Sequence, residues 1–268
     1  MSATSTSGRV AVVIPTYDER ENIVLITARV RAAVPHAHLL VVDDDSPDGT
    51  GLIADDLAAI DGHVHVLHRK GKGGLGTAYV DGFRWALERG FDVVGEMDAD
   101  GSHRPEDLPR LLAALRGADV VLGSRWVAGG QVRNWPRSRR LLSRAGNTYA
   151  RLVLGLAPED VTGGYRVYRA SALRAIGLDE VRSQGYCFQI DLVRRIAHAG
   201  LRIAEVPITF TDRTLGASKM SGAVVAEALW RVTRWAVSER LPEAGATDAH
   251  RAPDVVDDGW AGSGREVA

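Results

Sequence analysis

Four short apolar runs in the first hundred residues each end in a cluster of acids or glycines, and this repeat constrains the fold most. Residues 9–14 (RVAVVI) form a continuous β-branched run closed by Pro15. Leu39–Val42 leads into Asp43-Asp44-Asp45 and a Ser-Pro-Asp-Gly turn. Residues 64–67 precede the basic, glycine-rich stretch 69–76, and Val93–Met97 ends at Asp98-Ala99-Asp100. Runs without polar alternation read as strands buried on both faces. Helical spacing fills the intervals at 19–33, 50–60, 76–89 and 105–116, and a further strand follows at 119–122. The alternation predicts an α/β chain with a mostly parallel central sheet flanked by helices.

The second half is less regular. It reads as an arginine-rich loop and helix at 124–154, then a strand pair or strand-helix unit at 161–176. A helix near 187–199, a strand over 201–210 and a helix over 220–240 complete it. The expected organisation is a flexible N-terminus at 1–8, one domain over 9–240, and a disordered tail at 241–268, where Pro, Gly, Ala and Asp dominate.

Charge narrows the partners. Lys plus Arg is 33 against 34 for Asp plus Glu, so no global charge draws the chain to nucleic acid. Locally the balance is lost: seven arginines and no acid lie between 125 and 151. That block requires phosphates, lipid head groups or carboxylates from elsewhere in the fold. The single cysteine, Cys187, allows no intramolecular disulfide and suits a reducing compartment. The first eight residues lack the apolar core of a signal peptide, and no uncharged run approaches the ~20 residues of a membrane span.

In open α/β sheets, ligands bind beyond the carboxyl ends of the strands, where these clusters sit. Asp98 and Asp100 are two apart, so in extended backbone their carboxylates point the same way. Paired carboxylates beside a diphosphate suit Mg²⁺ or Mn²⁺, hard cations that prefer oxygen and retain phosphate in their shell. Asp44 is placed to accept from a nucleobase N–H, while Asp43 serves its own loop. Lys72, within Gly71-Lys72-Gly73-Gly74, suits a phosphate cradle, although the Gly-Lys-Ser/Thr ending of a Walker motif is absent. His36, His38, His63, His65 and His68 lack ligand spacing with Cys or Glu, and His103 is weighed between structure and phosphate contact.

Taken together, these segments resemble the family 2 glycosyltransferases of the GT-A fold, and within them the dolichyl- or polyprenyl-phosphate mannose synthases. The resemblance rests on IPTYDERENI (14–23), VVDDDSPDGT (41–50), GKGGLGTAY (71–79), MDADGSHRPED (97–107), GSRW (123–126), TGGYRVYR (162–169), GYCFQIDL (185–192) and FTDRTLGASKM (210–220), over residues 9–240. It implies GDP-mannose as donor, a polyprenyl phosphate as acceptor, and Mg²⁺ or Mn²⁺ on Asp98 and Asp100. It further implies donor contacts from Pro15, Tyr17, Glu19, Asp44, Lys72 and Ala99. Arg125, Arg139, Arg213 and Lys219 fall to the donor and acceptor phosphates. One departure concerns the metal: Gly101-Ser102-His103 stands where family members often carry Leu-Gln-His, which makes Ser102 a weaker or water-mediated third ligand.

A polyprenyl monophosphate has a second pKa near about 6 and is already anionic, so the expected reaction needs no general base. Metal, Arg and Lys instead relieve the repulsion between two anions, and the sugar transfers with inversion. Asp191, which a base-catalysed scheme would choose, is read as orienting arginine or substrate hydroxyls. On the last helix Val225, Leu229, Val232 and Ala236 form an apolar stripe, with Trp230 and Trp235 toward its borders. A core-packing helix explains that stripe, and so does docking on a membrane surface or an integral membrane partner, which suits a lipid acceptor and a peripheral position on the cytoplasmic face. The competing readings are a sister enzyme using another sugar, a non-catalytic sugar-nucleotide-binding subunit, and a scaffold whose strand-end clusters are merely solvated.

Overall fold

The computed structural model describes residues 8–183, 185–212 and 222–240. The expectations for 1–7 and 241–268 lie outside the described residues, as do Arg213 and Lys219. Strands β1 (Val10–Thr16), β2 (His38–Asp43), β3 (Val64–His68), β4 (Val93–Glu96) and β5 (Val120–Ser124) fall where the apolar runs place them. Between them lie helices α1 (Ile23–Ala33), α2 (Thr50–Ile60), α3 (Leu75–Glu88) and α4 (Leu108–Ala114).

The runs are continuous because both sheet faces are covered. Val10, Val12 and Ile14 pack in one core with α1, α2 and α4, whereas Ala11 and Val13 pack in the other with α3. β2 divides in the same way, with Leu39 and Val41 on one side and Leu40 and Val42 on the other. Gly82 lets α3 lie close on the sheet, since a Cβ there would stand 2.3 Å from a Val13 methyl.

The second half departs from the sequence reading in instructive ways. The unit at 161–176 is a strand-helix pair, β7 (Arg166–Arg169) and α6 (Ala170–Ala175). β7 inserts antiparallel between β4 and β5, giving the order β3-β2-β1-β4-β7-β5-β8. The strand expected over 201–210 is two pieces. β8 (Ile203–Pro207) runs parallel to β5, and β9 (Thr209–Thr211) leaves the sheet to pair with β6 (Gln131–Arg133), a strand the sequence did not reveal. Ile208 forms the joint: its N–H donates to Ser124 O at 3.0 Å while its carbonyl accepts from Gln131 N at 2.9 Å.

α5 (Arg137–Leu154), α7 (Gly185–His198) and α8 (Gly222–Arg240) cover the α3 side of the sheet. On α8, Val232 and Ala236 are buried as the stripe requires, but Leu229 is 41% exposed and Trp230 59%. Trp235 packs against the core and beneath Arg194, 5.1 Å from its ring centre. None of the described helices is long and apolar enough to cross a membrane.

Candidate active site

The loops after β1, β2, β3 and β4 meet at the carboxyl edge of the sheet, and their side chains interlock. Asp43 accepts from Thr16 Oγ1 at 2.9 Å and from Ser46 Oγ at 2.6 Å, so it fastens its own loop to β1. Asp44 instead turns toward the β3 loop. Its Oδ1 pairs with Arg69 and its Oδ2 accepts from Gly74 N–H at 3.0 Å. A carboxylate has about four acceptor directions, so these two contacts orient Asp44 without exhausting it. Arg69 also donates to Thr77 Oγ1 at 2.7 Å and pairs with Asp81 at 3.0 Å. The sequence placed Arg69 inside a basic cluster but gave no sign that it would clamp Asp44.

Lys72 Nζ lies 3.7 Å from the centre of the Tyr17 ring, joining the β1 and β3 loops by a cation–π contact. Glu19 N–H donates to Thr50 Oγ1 at 3.0 Å, and its carboxylate accepts from Asn22 at 2.7 Å, so it opens the turn into α1. Pro15 continues β1 in register with Val42. Asp18 and Asp45 both take left-handed backbone, with φ of 57° and 58°, in the two loops that flank this region. Such conformations in non-glycine residues concentrate at functional loops.

Beyond β4, Tyr79 Oη donates to Asp98 Oδ1 at 3.1 Å, and Ser102 N–H donates to Asp100 Oδ1 at 3.0 Å. Ala99 between the two acids is buried. His103 is buried, stacked on Tyr165 at 5.1 Å, and its Nδ1 lies 3.3 Å from Asp98 N–H. Burial pushes its pKa down to about 4, which favours the neutral ring at pH 7. The residues fit a hard divalent cation. Ser102 Oγ is buried without a hydrogen-bond partner beside Asp100, a placement that a metal-bound water or the ion would satisfy. The described residues contain no group of three His, Cys, Asp or Glu suited to a metal. Two carboxylates that leave the remaining positions to water and a diphosphate match the way Mg²⁺ is held.

Beneath this pair, Glu96 and Arg166 face each other across β4 and β7, both fully buried and 3.5 Å apart. Burial pushes the Glu96 carboxyl up to about 8, against the pull of Arg166. Arg166 spends its donors on the carbonyls of Gly163, Gln189 and Val161, at 2.8–2.9 Å. It thereby ties the 161–164 loop to α7.

The arginine block finds much of its anionic company inside the protein. Arg125 is buried in a bidentate pair with Asp160 and also donates to Thr162 at 2.8 Å. Arg139 Nη1 contacts both oxygens of Asp212 at 2.8 Å and lies over Trp135. Arg151 is bound at 2.7 and 2.9 Å to Glu159, which the helix periodicity alone could not reveal. Among the described residues, Trp126 Nε1, Trp135 Nε1 and Arg139 Nε are buried donors without an acceptor. Asp191 accepts from Ser183 at 2.9 Å and from Arg194 at 2.8 Å, which orients arginine as anticipated.

Residues 11–177 match the family described as Glycosyl transferase family 2. The chain is a family 2 glycosyltransferase. The transferase is 60% identical over 232 residues to the undecaprenyl-phosphate mannosyltransferase of Micrococcus luteus, a span covering 87% of this chain and 96% of that protein. It is 56% identical over 238 residues to the polyprenol monophosphomannose synthase of Mycolicibacterium smegmatis, covering 88% and 90%. Its fold resembles that of glucosyl-3-phosphoglycerate synthase from Mycobacterium tuberculosis, solved with Mn²⁺, UDP and glucosyl-3-phosphoglycerate. There the TM-score is 0.60 at 21% identity, over 89% of this chain and 82% of that one. The transferase therefore has the GT-A fold, with a mostly parallel sheet flanked by helices.

Proposed function

We propose that this glycosyltransferase moves mannose from GDP-mannose to a polyprenyl monophosphate, releasing GDP. The observation that carries the reading is the 60% identity, spanning 96% of its length, to a protein named for mannosyl transfer to undecaprenyl phosphate. The site supplies compatible chemistry. Asp44, clamped by Arg69, would accept from the guanine N–H groups, and Pro15, Tyr17 and Glu19 from the β1 end would add the donor contacts that the resemblance implies. Lys72, beside the Tyr17 ring, and the N–H groups of its glycine loop other than that of Gly74 would receive the phosphates. Asp98, Asp100 and, directly or through water, Ser102 would hold Mg²⁺ or Mn²⁺, with Ala99 contributing to the donor site. When bound, the ion neutralises charge on the departing diphosphate.

For the acceptor, Arg139 lies over Trp135, and among the described residues Arg139 Nε and Trp135 Nε1 are buried donors without an acceptor, for which a phosphate oxygen is a chemically suitable partner. By resemblance Arg213 and Lys219, outside the described residues, serve the donor and acceptor phosphates with Arg125 and Arg139, and Arg125 is held by its pair with Asp160. The acceptor is already ionised, so no side chain needs to remove its proton. Asp191→Asn should therefore retain most of its turnover.

A lipid substrate calls for a docking face. α5 carries five arginines and no acid, with Leu141, Leu142 and Leu152 exposed. α8 lies beside it, joined by the 2.7 Å contact of Tyr149 Oη and Thr233 Oγ1, and exposes Leu229, Trp230 and Val237. Cationic and apolar groups on neighbouring helices suit the cytoplasmic leaflet, whose lipids are anionic. Calorimetry with GDP and UDP, each with and without metal, tests the donor assignment. Tight metal-dependent GDP binding with weak UDP binding supports it, and the reverse preference overturns it.

A further inference from the structure

The hydroxyl of Tyr79 has one polar contact of note, and it is made to the first acid of the pair at the end of β4. Tyr79 is fully buried on α3, its ring parallel to Phe188 at 5.8 Å and stacked near Phe83 at 5.9 Å. Aromatic packing on two sides fixes the phenol ring and aims its oxygen at Asp98 Oδ1, 3.1 Å away. A phenylalanine would fill the same slot, so packing alone does not call for the hydroxyl.

The loop at Gly164 also borders Asp98: a Cβ there would stand 3.9 Å from both Asp98 oxygens, an ordinary contact, and a tighter 3.3 Å from Gln189 Nε2. The loop carrying Gly164 is held by the buried guanidinium of Arg166 through the carbonyls of Gly163 and Val161. The Asp98 backbone is tied separately, its N–H pointing at His103 Nδ1. Three elements thus converge on one carboxylate.

We propose that Tyr79 is a positioning residue for Asp98, its hydroxyl holding one carboxylate oxygen so that the group is already oriented when a metal-diphosphate arrives. This rests on the metal reading given above. A carboxylate on a loop otherwise rotates about two torsions, and restricting it beforehand lowers the cost of binding. Partners that orient ligating groups typically change metal affinity by about 10–100-fold when removed.

The experiment compares wild type with Tyr79→Phe, which keeps the ring stack and removes only the oxygen. GDP binding is followed by calorimetry as Mg²⁺ or Mn²⁺ is titrated, with thermal unfolding recorded in chelator. The expected result is a folded variant whose GDP binding without metal matches wild type, but whose metal requirement for half-maximal binding rises about 10-fold or more. Turnover at limiting metal should fall and recover substantially at saturating metal, a split that a general loss of stability would not give. An unchanged metal titration in a wild-type background that is metal-dependent overturns the role of Tyr79 alone. GDP binding indifferent to metal in wild type overturns the metal reading and this proposal with it.

Discussion

Asp160 grips Arg125 with both carboxylate oxygens: Nε donates to Oδ2 at 2.8 Å and Nη2 to Oδ1 at 2.7 Å. Asp160 is fully buried and Arg125 only 6% exposed. Burial pushes the Asp160 carboxyl up, but the Arg125 guanidinium outweighs it and holds the group below the usual carboxylate range. Asp160→Asn leaves a buried cation short of its counter-charge, which typically costs about 3–5 kcal/mol. Denaturant unfolding at neutral pH should show that loss. Because the folded carboxyl titrates below its ordinary 3.8, the contribution of the pair is in place above that pH and disappears as acid protonates it. The difference between wild type and variant should therefore narrow in acid.

Asp100 tests the chemistry more directly than the fold. Asp100→Ala removes one of two proposed carboxylate ligands while leaving β4 untouched, so its thermal unfolding without ligand should stay close to that of wild type. The stabilisation that GDP with Mg²⁺ or Mn²⁺ gives wild type should be absent, and kcat should fall by roughly 100-fold or more. A variant still stabilised by metal-GDP to the wild-type extent would remove Asp100 from the metal site.

A histidine group at the opposite end of the sheet sets a pH dependence. His38 Nδ1 lies 2.9 Å from His65 Nε2, with the His63 ring centre 4.7 Å from that of His38. Burial first, and then the neighbouring histidines with Arg9, Arg31 and Arg89, lower the pKa of His38 and His65 below the ordinary 6.5; Asp61 opposes this at His65. The folded state disfavours the protonated forms, so the unfolded chain binds more protons below about that value. Stability should be complete above pH 6.5 and decline as pH falls below it. His38→Gln should flatten this decline in pH-dependent thermal unfolding.

The exposed face of α5 and α8 makes a lipid-specific prediction. Leu141 is 72% exposed among arginines with no acid on its helix. Each arginine near an anionic surface contributes about 1 kcal/mol, so Arg137→Ala with Arg140→Ala should weaken binding to vesicles rich in anionic lipid roughly 30-fold. Trp230→Ala should weaken binding to neutral and anionic vesicles alike. Equal binding by all variants in sedimentation would move docking to another surface.

The first half of the fold was legible because β1, β2, β4 and β5 are largely buried apolar runs and each strand ends in a polar loop, so apolar runs and polar clusters alternate without ambiguity. The same legibility reached the loop-fastening role of Asp43 and the position of Asp98 and Asp100 just beyond β4. It did not reach β6, whose Gln-Val-Arg carries no strand signature and exists because β9 pairs with it. Nor did it show that β7 runs antiparallel, a matter of chain path that local pattern does not encode. Arg69 on Asp44, Glu159 on Arg151 and Tyr79 on Asp98 are contacts across 25, 8 and 19 residues, set by tertiary geometry. Leu229 shows the limit of periodicity. It shares a helical stripe with Val232 and Ala236, yet the core covers only the latter two.

Transfer of labelled mannose from GDP-mannose to a short polyprenyl phosphate, with Mg²⁺ or Mn²⁺ present and then chelated, tests the central claim most directly. The account predicts a mannosylated lipid that forms only with metal and is lost in Asp100→Ala. Tight GDP binding with no such product from any polyprenyl phosphate, in detergent or in vesicles, would contradict it.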